Sequence, residues 1–139
     1  MALVIALMIY FNLQKEGIEW QAYSSEKLEM AINEGRPVMI DFYADWCIPC
    51  RELDRITFTD EEVIEATRDM VRLKVDLTNF DSPDSEILRQ QYEIAGVPTI
   101  VFLDPQGSEV RNARVVGFLR PADFMRRVNL TKEVSLSLN

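Results

Sequence analysis

The chain has 139 residues, of which 47% are hydrophobic and 27% charged, a balance that fits one globular domain with a single core. Its formal net charge is -8 and its pI about 4.6, which argues against nucleic-acid binding because that needs a basic surface. The chain contains no histidine, which excludes Ser-His and Cys-His nucleophile pairs and removes the commonest metal ligand.

An almost wholly apolar stretch runs from Met1 to Leu13, and a polar break at residues 14–17 follows it. This stretch is shorter than the roughly 20 residues that span a bilayer, and it lacks the basic start of a signal peptide. Three interpretations stay open: the end of a transmembrane helix, an atypical anchor or signal, or a helix that packs on the domain. The first two imply a membrane-attached protein. The domain proper is predicted at 18–130, with a tail at 131–139.

Strands and helices are predicted to alternate from there on. Ile18–Tyr23 is predicted as a short strand, and Ser24 or Ser25 caps the helix that follows it. Val38–Ala44 is short, apolar and rich in β-forming residues, which is typical of a strand buried on both faces of a parallel sheet.

A C-x-x-C motif comes directly after that strand and opens a helix that is predicted to reach about Arg55. Thr57–Thr59 interrupts the helix, and Thr59 with Glu62 has the spacing of a capping box for a second helical piece.

The remaining elements complete an α/β pattern. They are a half-buried strand at Val71–Asp76, a helix from Ser82–Pro83, a strand at Thr99–Leu103, a turn at Asp104–Gly107, a hairpin partner at Val110–Phe118 and a helix at Pro121–Val128. This order predicts a mixed central sheet with helices on both faces.

The chemistry of the chain is concentrated in its only two cysteines, Cys47 and Cys50. An intramolecular structural zinc site would need two more ligands, and the chain has no further Cys and no His. Two inert buried thiols are the other alternative, but a strand followed by a helix favours redox chemistry. At a helix start, unpaired N–H groups and the helix dipole stabilise the Cys47 thiolate, and Pro49 fits the first turn.

Cys47 is therefore the predicted nucleophile and the more exposed sulfur. It attacks a partner disulfide to form a mixed disulfide, which Cys50, more buried, then resolves.

Two segments resemble the thioredoxin superfamily: Asp41–Cys50 is similar to its active-site segment, and Ala95–Thr99 is similar to its loop with a cis-proline. The chain also resembles the C-terminal periplasmic domain of the DsbD family of transmembrane reductant conductors. The similar segments are Tyr43–Cys47, Thr57–Asp60, Asp76–Asn79 and Ala113–Phe118. The Ile48-Pro49 dipeptide between the cysteines differs from the usual pair of either group.

The resemblance implies a thioredoxin-like fold and roles for five further residues. Asp41 matches the family's buried acid, which takes and returns the proton of Cys50. Asp54 lies where the DsbD domain has a Glu. Both acids are implied to tune the pKa of the Cys47 thiol. Val97 and Pro98 are implied to bind an extended partner across from Cys47, and Trp46 to form an exposed apolar rim.

The implied function is that of a protein-disulfide reductase. A monomeric domain on the periplasmic face of a bacterial inner membrane would take electrons from a transmembrane donor domain and pass them to periplasmic acceptor domains. No metal or organic cofactor is expected, because the cysteines hold the electron pair. The alternatives are a free-standing thioredoxin, which would be cytoplasmic, a cytochrome-maturation reductase, and a binding or chaperone module with incidental cysteines.

Overall fold

A computed structural model describes residues 1–13 and 16–139, so part of the predicted polar break at 14–17 lies outside the described residues. Its helices are α1 (Ala2–Leu13), α2 (Ser25–Asn33), α3 (Ile48–Glu52), α4 (Glu61–Ala66), α5 (Pro83–Gln91) and α6 (Pro121–Ser137). Its strands are β1 (Gln21–Ala22), β2 (Val38–Tyr43), β3 (Val71–Asp76), β4 (Thr99–Leu103) and β5 (Val115–Val116).

The described strands form one mixed sheet in the order β1-β3-β2-β4-β5. β2 pairs parallel with β3 on one side and antiparallel with β4 on the other, which confirms the predicted α/β architecture. β2 is buried along almost its whole length, as its unbroken apolar run predicts.

Alternate residues of β2 enter different cores on the two faces of the sheet. Val38, Ile40 and Phe42 pack in one cluster, whereas Met39 packs in the other with Leu53 and Phe124. Because side chains alternate along a strand, Asp41 lies on the Met39 face, which the chain after the C-x-x-C motif covers. The fold thus turns the buried acid toward the segment that carries the cysteines.

The helix after the motif changes form instead of ending near Arg55. α3 is followed by a π-helical turn at Leu53–Thr57, in which the N–H of Phe58 donates to the carbonyl of Leu53 at 2.8 Å. The buried hydroxyl of Thr57 donates to the carbonyl of Leu119 at 2.6 Å, which ties this turn to the chain ahead of α6.

The predicted capping box at Thr59 is wrong by one residue. Asp60 is the N-cap of α4, and its carboxylate accepts from the N–H groups of Glu62 and Val63 at 3.0 and 3.2 Å. The Thr59 hydroxyl instead donates backward to the carbonyl of Arg55 at 2.7 Å. A carboxylate one residue closer to the helix thus takes the N–H groups that the threonine was predicted to cap.

The C-terminal part of the chain differs from the prediction in two places. Only Val115–Val116 forms a strand within the predicted hairpin partner, because Arg111–Ala113 makes a 3-10 turn that buries Ala113. α6 continues past Val128 to Ser137, and Thr131 and Ser135 within it are buried. Most of the segment predicted as a tail therefore belongs to the last helix.

The N-terminal apolar segment forms α1, and residues 1–10 are exposed. The three interpretations of this segment, as the end of a transmembrane helix, an atypical anchor or signal, or a helix packed on the domain, stay predictions. Among residues 1–13 and 16–139, no helix combines the length and the apolar character needed to cross a membrane.

Candidate active site

Cys47 and Cys50 lie where β2 ends and α3 begins, and they form a disulfide with their Cα atoms 5.3 Å apart. Cys47 is the N-cap of α3, and its Sγ accepts the N–H of Cys50 at 3.2 Å. A sulfur in this position sits against N–H groups that the first helical turn leaves unpaired. When the disulfide is reduced, the same position favours a thiolate on Cys47.

The predicted difference in exposure between the two cysteines is absent in the disulfide state, since each residue is 4% exposed. The side chain of Cys47 folds back onto the first turn of α3, and Tyr43 and Val97 pack against the cluster that Ala44 forms with the two cysteines. The prediction that Cys47 has the more exposed sulfur stays a prediction for the reduced pair.

Trp46 stands beside the disulfide with 57% of its surface exposed, at the place predicted for an apolar rim. Its Nε1 donates to the carbonyl of Thr78 at 3.0 Å, and its ring meets Phe80 edge to face. The Thr78 hydroxyl also accepts from the N–H of Asp45 at 3.0 Å. The loop after β3 thus holds the segment that leads into Cys47.

The Val97–Pro98 loop lies on the other side of the disulfide. The peptide bond between these residues is cis, and Val97 packs against the cysteine cluster. The Pro98 carbonyl accepts from the N–H of Gly117 at 3.0 Å, which fixes the loop to the chain after β5.

Asp41 is a buried carboxyl group, 2% exposed. Within the described residues its Oδ1 has no hydrogen-bond partner. Burial raises the pKa of Asp41 to about 7, since desolvation disfavours the ionised form; Lys74 acts in the lowering direction and Asp54 adds to the increase. A carboxyl with this pKa can both accept and donate a proton near neutral pH.

Lys74 is a member of this site that the sequence analysis missed. Asp41 and Lys74 are register partners on the parallel strands β2 and β3. The Lys74 Nζ lies 3.9 Å from Asp41 Oδ2 and 3.1 Å from Asp54 Oδ1, and 4.5 Å from the centre of the Tyr43 ring. The signal was available, because each residue is the fourth of its predicted strand, but using it required knowing that the strands are neighbours.

Asp54 contacts the same lysine from the π-helical turn that follows α3. Its side chain is 43% exposed and pairs with Lys74, so solvent screens this ion pair. Lys74 thus bridges an acid under the sheet and an acid on the segment that follows Cys50. Its position at two carboxylates offsets part of their charge.

A surface groove of about 430 Å³ opens beside Lys74, with Trp20, Tyr43 and Asp76 among its lining residues. Lys74 lies at the boundary between the buried Asp41 and this groove, with its own side chain 20% exposed. The acid is therefore one side chain away from water. In the described part of the chain, no group of three or more Asp, Glu or Cys side chains is placed to hold a metal ion.

Comparisons with known proteins agree with this geometry. The family described as thioredoxin-like matches residues 19–105. A thioredoxin from Thermus thermophilus superimposes with a TM-score of 0.72 at 27% identity, covering 86% of this chain and 91% of that one. The reduced C-terminal domain of DsbD from Neisseria meningitidis gives a TM-score of 0.68 at 28% identity, covering 76% of this chain and 91% of that one.

A curated relative extends the comparison at the sequence level. The thiol:disulfide interchange protein DsbD of Colwellia psychrerythraea is 42% identical over 107 residues, which are 77% of this chain and 18% of that protein. The chain therefore spans about a fifth of the length of the curated relatives it matches.

The fold, the Cys-x-x-Cys disulfide and the matching family model together define a thioredoxin-like protein. Since the thioredoxin-like family matches more than half of its residues, the chain belongs to that family.

The raised pKa of Asp41 predicts a pH-dependent effect of Asp41→Asn on stability. Between the ordinary pKa of 3.8 and about 7, only the folded state keeps the proton, so this group contributes stability that is fully present below pH 4 and lost as the pH passes 7. The loss is about 4 kcal/mol in the wild type and absent in the variant. The free energy of unfolding of the oxidised wild type should therefore fall relative to that of Asp41→Asn by about 4 kcal/mol between pH 4 and pH 8. Denaturant unfolding at a series of pH values measures this difference.

Asp69→Asn is the matched control, because Asp69 is an exposed acid paired with Lys132 at 3.5 Å. The difference in free energy of unfolding between Asp69→Asn and the wild type should change little over the same pH range. A constant difference between Asp41→Asn and the wild type would show that Asp41 has an ordinary pKa.

Proposed function

We propose that this domain is a protein-disulfide reductase that relays electrons from a membrane partner domain to acceptor proteins. The observation that carries the proposal is the Cys47–Cys50 disulfide at the N-terminus of α3, with the buried Asp41 on the strand that leads into it. The relatives named thiol:disulfide interchange protein DsbD support the same role.

The reduced pair would act in two exchange steps. The Cys47 thiolate attacks one sulfur of the partner disulfide, forming a mixed disulfide and releasing the other partner sulfur as a thiolate, which takes up a proton. Cys50 then loses its proton and attacks the Cys47 sulfur, which releases the second partner thiol and forms the Cys47–Cys50 disulfide. Two electrons and two protons pass to the partner, so we propose that no metal or organic cofactor takes part.

Asp41 is proposed to hold the proton that Cys50 gives up. Its carboxyl has a pKa near neutrality, so the ionised form can take this proton and release it again afterwards. It faces the side of the sheet on which the helix after Cys50 lies. Lys74, within ion-pair distance of Asp41, would stabilise the ionised carboxylate when the proton returns to water.

The proposed cellular setting follows from the relatives and from α1. The helix exposes Leu3, Val4, Ile5 and Leu7, so we propose that it contacts a membrane. The domain would then work on the periplasmic face of a bacterial inner membrane, as a monomer, between a transmembrane donor domain and periplasmic acceptor domains. Trp46, Val97 and Pro98 would contact these partners, since they border the disulfide.

The order of the two cysteines predicts different outcomes for their serine variants. Reduced Cys50→Ser keeps the nucleophile but cannot resolve the mixed disulfide, so it should accumulate a covalent complex with a disulfide-bonded protein such as oxidised insulin. Reduced Cys47→Ser should form little complex, and the double variant none. Non-reducing electrophoresis and mass spectrometry distinguish these products.

The reverse result, with trapping by Cys47→Ser, would assign the attack to Cys50. If the double variant bound the partner as well as the wild type, the proposal of a binding module would replace that of a reductase.

The two acids are proposed to hold back the Cys47 thiolate until a partner docks, because a nearby carboxylate disfavours a second negative charge. Asp41→Asn should therefore lower the pKa of the Cys47 thiol by about one pH unit, and Asp54→Asn by less, because Asp54 is more exposed and paired with Lys74. The rate of alkylation of the reduced protein against pH measures this pKa, with Asp69→Asn as control. An unchanged thiol pKa in both acid variants would contradict the tuning role.

A further inference from the structure

Arg114 makes a set of contacts that the exchange chemistry does not use. Its Nε and Nη2 donate to the two carboxylate oxygens of Glu109 at 2.7 and 3.1 Å. Nη1 donates to the carbonyl of Glu93 at 3.0 Å, and Nη2 also donates to the carbonyl of Tyr92 at 2.6 Å. The Arg114 and Glu109 side chains are only 17% and 15% exposed, so they form a largely desolvated, bidentate ion pair. Other donor positions of Arg114 bind backbone carbonyls.

The two carbonyls belong to the end of α5, where a helix leaves its last acceptors unpaired. Tyr92 is the C-cap of α5, and Glu93 follows it in the left-handed region with a φ of 54°. That conformation is disfavoured for a residue with a Cβ atom and is usually occupied by glycine. Arg114 stabilises it by binding both carbonyls while it also binds both carboxylate oxygens of Glu109, a set of four hydrogen bonds that exceeds the three N–H donors of an ammonium.

The chain that leaves this helix end is the loop beside the disulfide. The N–H of Ile94 donates to the carbonyl of Arg89 at 2.8 Å, and three residues later Val97 packs against the cysteine cluster. The far end of the loop is held by the hydrogen bond from the N–H of Gly117 to the carbonyl of Pro98. Arg114 and Gly117 flank the short strand β5, so one segment fixes both ends of the Ile94–Pro98 loop.

We propose that Arg114 is a positioning residue for polypeptide substrates, because it fixes the end of α5 from which the Val97–Pro98 loop projects toward the disulfide. This inference rests on the proposed function. The side chain of Arg114 donates hydrogen bonds to Glu109, Tyr92 and Glu93, none of which belongs to the cysteine cluster. Arg114 thus acts on where a substrate chain lies and leaves the chemistry of the two sulfurs unchanged.

This placement separates two kinds of substrate. A disulfide within a polypeptide has to lay its flanking backbone along the Val97–Pro98 loop so that its sulfur meets Cys47 in line. A small aromatic disulfide has no flanking chain and needs only access to the sulfur. Displacing the loop therefore slows exchange with the first kind of substrate and spares the second.

The test variant is Arg114→Lys, which keeps a positive charge beside Glu109 but loses the planar fork. The measurements are the rate constants of the reduced protein with oxidised insulin and with dithiobis(nitrobenzoic acid), and the equilibrium reduction potential. The insulin rate constant should fall roughly tenfold, since small displacements of reacting groups cost at least this much. The rate with the small disulfide should stay within about twofold, and the potential should not change.

Arg36→Lys is the matched control, because the Nε of Arg36 also donates to a backbone carbonyl, that of Asp69 at 3.4 Å, and Arg36 precedes β2 at the end of the strand opposite the cysteines. It should behave as the wild type with both substrates. Glu109→Gln is a second variant, for use if Arg114→Lys does not fold. It keeps Arg114 but replaces the carboxylate that orients the guanidinium with a neutral amide. Its rate constant with insulin should fall by a smaller factor than that of Arg114→Lys, and its rate constant with the small disulfide should not change.

Equal losses with both substrates, or an unchanged insulin rate in folded variants, would overturn the positioning role. A wild-type protein that reduces neither substrate would instead contradict the proposed function itself, so the two failures are distinguishable.

Discussion

The arrangement of the site depends on one buried carboxyl group in the central strand of the sheet, that of Asp41. Asp41 occupies the middle of a strand whose other residues are apolar, where an ionised group is costly. The fold meets this cost in two ways: the pKa of Asp41 rises to about 7, and Lys74 lies beside it on the neighbouring strand. Because β2 ends at Tyr43, four residues before Cys47, the strand that holds the buried acid also positions the cysteine pair.

The groups around the disulfide divide into those that act on sulfur and those that act on the partner. In the proposed function, Cys47 and Cys50 exchange with the partner disulfide, and Asp41 and Asp54 act on the protonation of the two thiols. Trp46 and the Val97–Pro98 loop border the disulfide. Trp46 is fixed by its hydrogen bond to Thr78, and the loop is fixed by hydrogen bonds from the segment that runs from Arg114 to Gly117.

Much of this site follows from local sequence, because local rules govern its parts. The apolar run of β2, the serine cap of α2 and the position of Cys47 at a helix start each depend on residues close in the chain. The ion pair between Lys74 and the two acids does not, since it arises from the pairing of β2 with β3. Nothing in the alternating pattern of β3 distinguishes Lys74 from its polar neighbour Arg72.

The errors have similar physical causes. Asp60 and Thr59 are both good helix caps, and the choice between them depends on a bond from Thr59 back to Arg55. α6 was predicted too short because its second half has few apolar residues, yet the structure buries Thr131 and Ser135 there with hydroxyl bonds to carbonyls one turn earlier. The packing of Val97 on the cysteine cluster depends on a residue that is distant in sequence.

The central claim, that the Cys47–Cys50 pair donates electrons to protein disulfides, is tested most directly by its equilibrium reduction potential at pH 7. Equilibration of the domain with a dithiol buffer of known potential gives this value. The account predicts a potential close to that of thioredoxin, about -270 mV. A potential near that of a strong oxidant such as DsbA, about -120 mV, would reverse the direction of electron flow and contradict the account.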